Sequence, residues 1–221
     1  MSANDRAVIS RELSELGYGE VRRYEYKGDW SNDDVYHKLR LVEAPFAGGV
    51  VDNVLSYRFW FGNPGADHFC ATCVRKYGPP AFSGFHFSPE CPTVATFTGT
   101  RGSYELWYLD TAQYDAKGLA EALKLELQEA VLSRVRSITD LESLYAAAVG
   151  LVGDFPWYKV NALMRTALII YLGVRQRRDP DEIAVAAIQA SKGISWKAQN
   201  LPGRTEMEII EGIWTDAEAN A

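Results

Sequence analysis

Cys70, Cys73, His86 and Cys91 read C-x2-C-x12-H-x4-C, and the stretch 68–91 that holds them carries all three cysteines and two of the three histidines. Sulfur and imidazole at such intervals are the ligands zinc takes in a tetrahedral site. The ligands would have to converge, and a C-x-x-C pair does so most easily on a tight turn. Here "CATCVRKY" places Thr72 and Val74 beside the cysteines, and both residue types favour extended chain. The stretch therefore reads as a hairpin with "GPP" at its tip. Strand alternation then sends Cys73 and His86 to one face, and His68, Cys70 and Cys91 to the other. Inert packing of small apolar thiols is the expectation, with zinc as the alternative and no cofactor otherwise. A redox pair would need a thiol at a helix start, which this strand reading does not offer.

The remaining chemistry is sparse. The chain has no phosphate-binding glycine loop, no dinucleotide fingerprint, no H-E-x-x-H and no nucleophile elbow. Its third histidine is His37. The basic cluster Arg175, Arg177 and Arg178 stands where a helix C-terminus would favour cations, and Asp29, Asp33 and Asp34 read as a solvated turn. Aromatic residues are more suggestive, since 20 of the 27 fall in residues 1–114. Most must build a core, but a sheet so supplied has rings to spare for binding. Trp30, Tyr57, Trp60, Trp107 and Tyr108 are the candidate partner- or ligand-binding residues.

Two kinds of element must position these groups. Alternating runs predict strands at 21–27, 36–43, 54–61, 69–77, 93–98 and 104–109, behind a first helix at 5–16 capped by Asn4. "SYRFWFG" is apolar on both faces and belongs at the centre of the sheet, and "GTRGS" reads as a hairpin turn. From Asp115 the period changes. Leu119, Leu123, Leu127, Val131 and Val135 form one helical stripe, and Leu168 and Ile169 lie in a second buried helix. Thr139 with Glu142 and Thr205 with Glu208 make capping boxes, and Asp179-Pro180 opens a helix between them. The fold class is α+β: an N-terminal helix and an antiparallel, aromatic-rich sheet (1–114), then a helical bundle (115–221), as two parts or one integrated domain.

A net charge of −6, with pI near 5.2, opposes a phosphate backbone, so nucleic acid is not an expected partner. The longest apolar run, "VNALMRTALIIYLGV", is too short to span a bilayer and contains Arg165. With no signal-peptide pattern at the start and an odd number of cysteines, a cytoplasmic location is expected. A helix, antiparallel strands and a closing helix give a layout that is similar to small secretion chaperones and toxin-immunity proteins. Acidity, an aromatic-rich sheet and the lack of a catalytic motif lead to the expectation of a non-enzymatic protein that neutralises or chaperones a protein partner, in the manner of an immunity protein or a chaperone, with a basic protein as the natural match. The alternatives are a small enzyme or ligand-binding protein with a pocket between sheet and helices, and a zinc-stabilised structural module.

Overall fold

The computed structural model describes residues 2–43, 54–78, 95–98, 100–101, 105–106, 109–150, 162–191 and 205–220. Contacts gather into two compact units, each built from two stretches of chain: Met1–Phe61 with Thr96–Thr139, and Gly62–Ala95 with Asp140–Ala221.

The first unit opens with helix α1 (Ala3–Glu15). Its cap is Ser2, not Asn4: Ser2 and Asp5 exchange side-chain and backbone bonds in a full capping box. Gly17 follows with φ at 85°, the left-handed turn that its lack of a Cβ permits. The predicted strand 21–27 is a hairpin. Strand β1 (Tyr18–Arg22) pairs antiparallel with β2 (Glu25–Gly28) through a two-residue turn in which Tyr24 takes φ 67°. No glycine or asparagine marks that turn, so the alternating pattern ran through it. Strand β3 (Tyr36–Glu43) falls on the predicted span, and β4 (Val54–Gly62) takes the expected central position. The sheet order is β1–β2–β3–β4–β5, where β5 is Ala95–Thr98; the short β8 (Leu109–Asp110) also pairs with β4, antiparallel. Between them β6 (Thr100–Arg101) and β7 (Glu105–Leu106) pair antiparallel as a separate two-stranded sheet; the turn expected at "GTRGS" lies partly outside the described residues.

Alternate residues of β4, Leu55, Tyr57, Phe59 and Phe61, are all fully buried, and His37, Leu39 and Leu41 of β3 are buried in the same alternation. Helix α3 (Ala116–Glu126) is capped by Asp115 and packs on α1, with Lys124 joined to Glu12 at 2.9 Å and Glu15 at 2.6 Å. It continues as a π-helical turn, Leu127–Leu132, and a last turn α4 (Ser133–Val135). The five stripe residues from Leu119 to Val135 are buried throughout. A strict four-residue repeat drifts around an α-helix of 3.6 residues per turn; the wider π turn brings the stripe back to one face.

The second unit holds the main departure from expectation. Residues 69–77 are not a strand but the greater part of helix α2 (Pro64–Tyr77), which is capped by Asn63 and opened by Pro64. Asn63 Oδ1 accepts the Ala66 amide at 2.9 Å. Ala66, Phe69, Cys70, Cys73, Val74 and Tyr77 recur at helical spacing and are buried. α2 packs on α6 (Ala162–Arg175), the unit's central helix, which also contacts α5 (Leu141–Gly150), α7 (Pro180–Ser191) and α8 (Glu206–Asn220). Leu168, Ile169, Ile170 and Leu172 of α6 are wholly enclosed. Arg165, the charge inside this apolar helix, donates from Nε to Ala148 O at 2.8 Å and from Nη2 to Val149 O at 2.9 Å. It thus satisfies carbonyls left free at the end of α5.

The cap of α5 lies one residue beyond the predicted Thr139, because Asp140 Oδ1 accepts the Ser143 amide at 2.7 Å and a carboxylate is the stronger acceptor. The Thr205–Glu208 box is formed as predicted. An α+β fold is what results, although its helices are not confined to the second half of the chain.

Candidate functional site

Trp30 is the one proposed binding residue that the structure places in a distinctive setting. The turn after β2, closed by the Ser31 amide on Gly28 O at 3.0 Å, carries its indole across the backbone of Gly28. A Cβ at Gly28 would stand 2.9 Å from Cε2 and 3.0 Å from Cζ2 of that ring, so only glycine leaves it room. The indole meets Tyr18 edge-on, with centroids 5.0 Å apart, and His37 at 5.5 Å. His37 in turn lies 6.1 Å from Phe59 and 6.0 Å from Phe61. The Arg136 guanidinium stands over the outer side of Trp30 at 5.2 Å. Strands β1, β3 and β4 therefore aim Tyr18, His37, Phe59 and Phe61 into one cluster that Trp30 and Arg136 close.

His37 is fully buried. Its Nε2 is 2.8 Å from the carbonyl of Ile138, so Nε2 carries the proton and donates. Burial pulls its pKa down to about 4, and the imidazole is neutral. Nδ1 is then a bare acceptor, and it has no partner. Tyr18 Oη and Trp30 Nε1 are likewise buried without a hydrogen bond. Three of the five such side-chain atoms among the described residues belong to this one cluster.

The other candidates fare differently. Tyr57 is buried in β4 and donates to Glu126 Oε1 at 3.2 Å, beside the start of the π turn. It is an interior polar contact and not a binding surface. Trp60 lies on β4. Trp107 and Tyr108, like His86 and Cys91, fall outside the described residues.

Cys70 and Cys73 sit mid-helix, one turn apart on the buried side of α2. This corrects the hairpin arrangement, in which they faced opposite ways. Cys70 Sγ is 3.5 Å from Met164 O, and burial pushes its thiol up; the Cys73 thiol is pushed up to about 12. Both thiols are therefore protonated in this setting, and neither is poised as a nucleophile. Among the described residues no three of His, Cys, Asp and Glu come together as a metal site.

Of the basic cluster, Arg178 is a structural clamp. It lies over the Tyr145 ring at 4.0 Å and pairs with Glu142 and with Glu182. In the turn 29–35, Asn32 Oδ1 holds the amides of Asp34 and Val35 at 2.9 and 2.8 Å.

The sequence reading missed α8 as a surface. Ile209, Ile210, Ile213 and Ala217 are its buried side. The outer side carries Met207 (49% exposed), Glu211, Trp214 and Glu218 at steps of four, three and four, which is one helical stripe. Trp214 is half-buried and donates from Nε1 to Glu218 at 2.9 Å. The helix contains five carboxylates and no basic residue. Lys76 of α2 pairs with Asp216, on the flank of the stripe, at 2.7 Å. No helix among the described residues is long and apolar enough to cross a membrane.

Comparison of the chain with family models, with curated proteins and with solved structures finds no match in any of the three.

Proposed function

We infer that the protein acts by binding a basic protein partner, and that the outer stripe of α8 is where it does so. The observation that carries this reading is the composition of that stripe: Met207 and Trp214 alternate with Glu211 and Glu218 on a helix that holds no basic residue. Apolar and aromatic side chains supply contact area, while the carboxylates attract a cationic surface over a longer range and select against acidic ones. The overall charge of −6 acts in the same direction.

We propose a non-enzymatic role. Among the described residues, burial holds four reactive groups uncharged: His37 with its pKa near 4, Cys73 near 12, and Cys70 and Tyr18 pushed up. None is tuned to exchange a proton at neutral pH. The setting we propose is cytoplasmic, and the role is that of a neutralising or chaperoning protein.

The test is affinity capture from native extract with the intact chain and with a Glu211→Lys/Glu218→Lys variant, followed by mass spectrometry. The reading expects one or a few basic proteins, eluted by moderate salt and lost from the charge-reversed variant. Equal capture by both proteins would show that α8 is not the binding surface.

A further inference from the structure

We propose that the occupant of the α8 stripe is an amphipathic basic helix of the partner, with two cations seven residues apart on the face that meets Glu211 and Glu218. This rests on the reading of α8 as the binding surface and adds what the partner must present there. Met207, Glu211, Trp214 and Glu218 follow one another at steps of four, three and four, the spacing of a coiled-coil seam. Such a stripe drifts only about 20° around the helix per seven residues, so it runs nearly straight along α8. Its two apolar members are one heptad apart, and so are its two acidic members, about 10.5 Å at 1.5 Å per residue. Trp214 Nε1 donates to Glu218 at 2.9 Å, which ties the indole along the stripe before anything binds.

That separation selects among partner shapes. A helix running alongside α8 repeats its own side chains at the same interval. Cations at i and i+7 then meet both carboxylates, and apolar residues three or four places away meet Met207 and Trp214. An extended strand returns to one face after about 6.6 Å and again after about 13 Å, so a cation that meets one carboxylate leaves the other out of step. Charge sets the sign of the partner. Of the five carboxylates on α8, Asp216 is already paired with Lys76 at 2.7 Å. Glu211 and Glu218 meet no cation among the described residues. The same stripe from a second copy of this chain would set carboxylates against carboxylates, so α8 is not its own occupant.

Two synthetic peptides of identical composition, built from lysine, leucine and alanine, test this on the intact chain. One places lysines seven residues apart, with leucines between them at steps of four and three, on one helical face. The other reorders the same residues so that lysines and leucines alternate as in a strand. The Trp214 Nε1–H signal in NMR, identified by its loss in Trp214→Phe, reads binding, and transferred NOEs read the shape of the bound peptide. The first peptide should shift that signal saturably, be helical when bound, and bind about tenfold more tightly than the second, the worth of one or two ion pairs kept in step. Glu211→Gln and Glu218→Gln should each weaken it by about two- to fivefold. Equal binding of both peptides at Trp214 would overturn the helical partner while leaving α8 a surface for basic segments of any shape. Binding of the first peptide in an extended form, or binding indifferent to both glutamate substitutions, would overturn it as well. If neither peptide moves the Trp214 signal, the helical match is wrong, and the charge-sensitive capture by α8 decides the wider reading separately.

Discussion

The interior around His37 and the outer face of α8 both combine aromatic rings with polar groups, and they differ in where the surplus polarity lies. Around His37, hydrogen-bonding capacity is left over away from water, where each orphan opposes folding by about 1–3 kcal/mol. On α8, the surplus is negative charge facing solvent, which water stabilises at little expense to the fold. The same kind of side chain therefore carries different information in the two places. Polarity in the interior bears on stability, whereas surface charge points to a field felt by whatever approaches. Any attraction exerted by the second weakens as salt rises.

Substitutions sharpen this contrast. Phe59, fully enclosed in the cluster, should be the most sensitive position. Phe59→Ala is expected to lower stability by about 3–5 kcal/mol in urea unfolding. A loss below about 1 kcal/mol would mean that the cluster is loosely packed and could not hold its orphans in place.

Acid comes next. The free imidazole titrates at 6.5, and burial holds that of His37 down to about 4. Above pH 6.5 neither the folded nor the unfolded chain binds a proton there, and this contribution to stability is complete. As pH falls from 6.5 to 4 the unfolded chain takes up a proton that the folded one refuses, so roughly 3 kcal/mol should be lost. Urea midpoints at pH 7 and pH 4.5 for the wild type and for His37→Gln check this, with a smaller loss expected in the variant.

Gly28→Ala should cost about 1–3 kcal/mol, because the new methyl must push the indole of Trp30 aside. The Trp30 Nε1–H signal should move with it. On α8 the same measurement should register almost nothing. Met207→Ala and Glu211→Lys are expected to stay within about 0.5 kcal/mol of the parent, since both side chains face water. A larger effect there would make the stripe part of the fold and not a free surface.

Much of this architecture was legible in the sequence, and the misses have physical causes. Strand β3, the central place of β4, the buried helix around Leu168 and the Thr205–Glu208 box all follow from period and capping chemistry. Helix α2 is masked in the sequence because Thr72 and Val74 favour strands. The helical signal was nonetheless present: "NPGAD" supplies a cap, a first-turn proline and a first-turn acid, and positions 66, 69, 70, 73, 74 and 77 share one face. The His37 cluster was not legible, since its members come from three strands and a turn, and only the sheet register brings them together. Trp30 was singled out by residue type alone. The α8 stripe could have been found by asking which face of an amphipathic helix still carries Met and Trp after its isoleucines are assigned to the core.

The central claim is that α8 is the surface that engages a basic protein, and crosslinking tests it most directly. A photoreactive residue placed at Met207, and separately at the exposed Val21 of edge strand β1 (62% exposed), gives two probes on the same intact chain. Irradiation in native extract should yield a discrete adduct with a basic protein from position 207. That adduct should fade as salt rises and vanish with Glu211→Lys/Glu218→Lys. Adducts from position 21 alone, or a 207 adduct indifferent to salt and to charge reversal, would contradict the account.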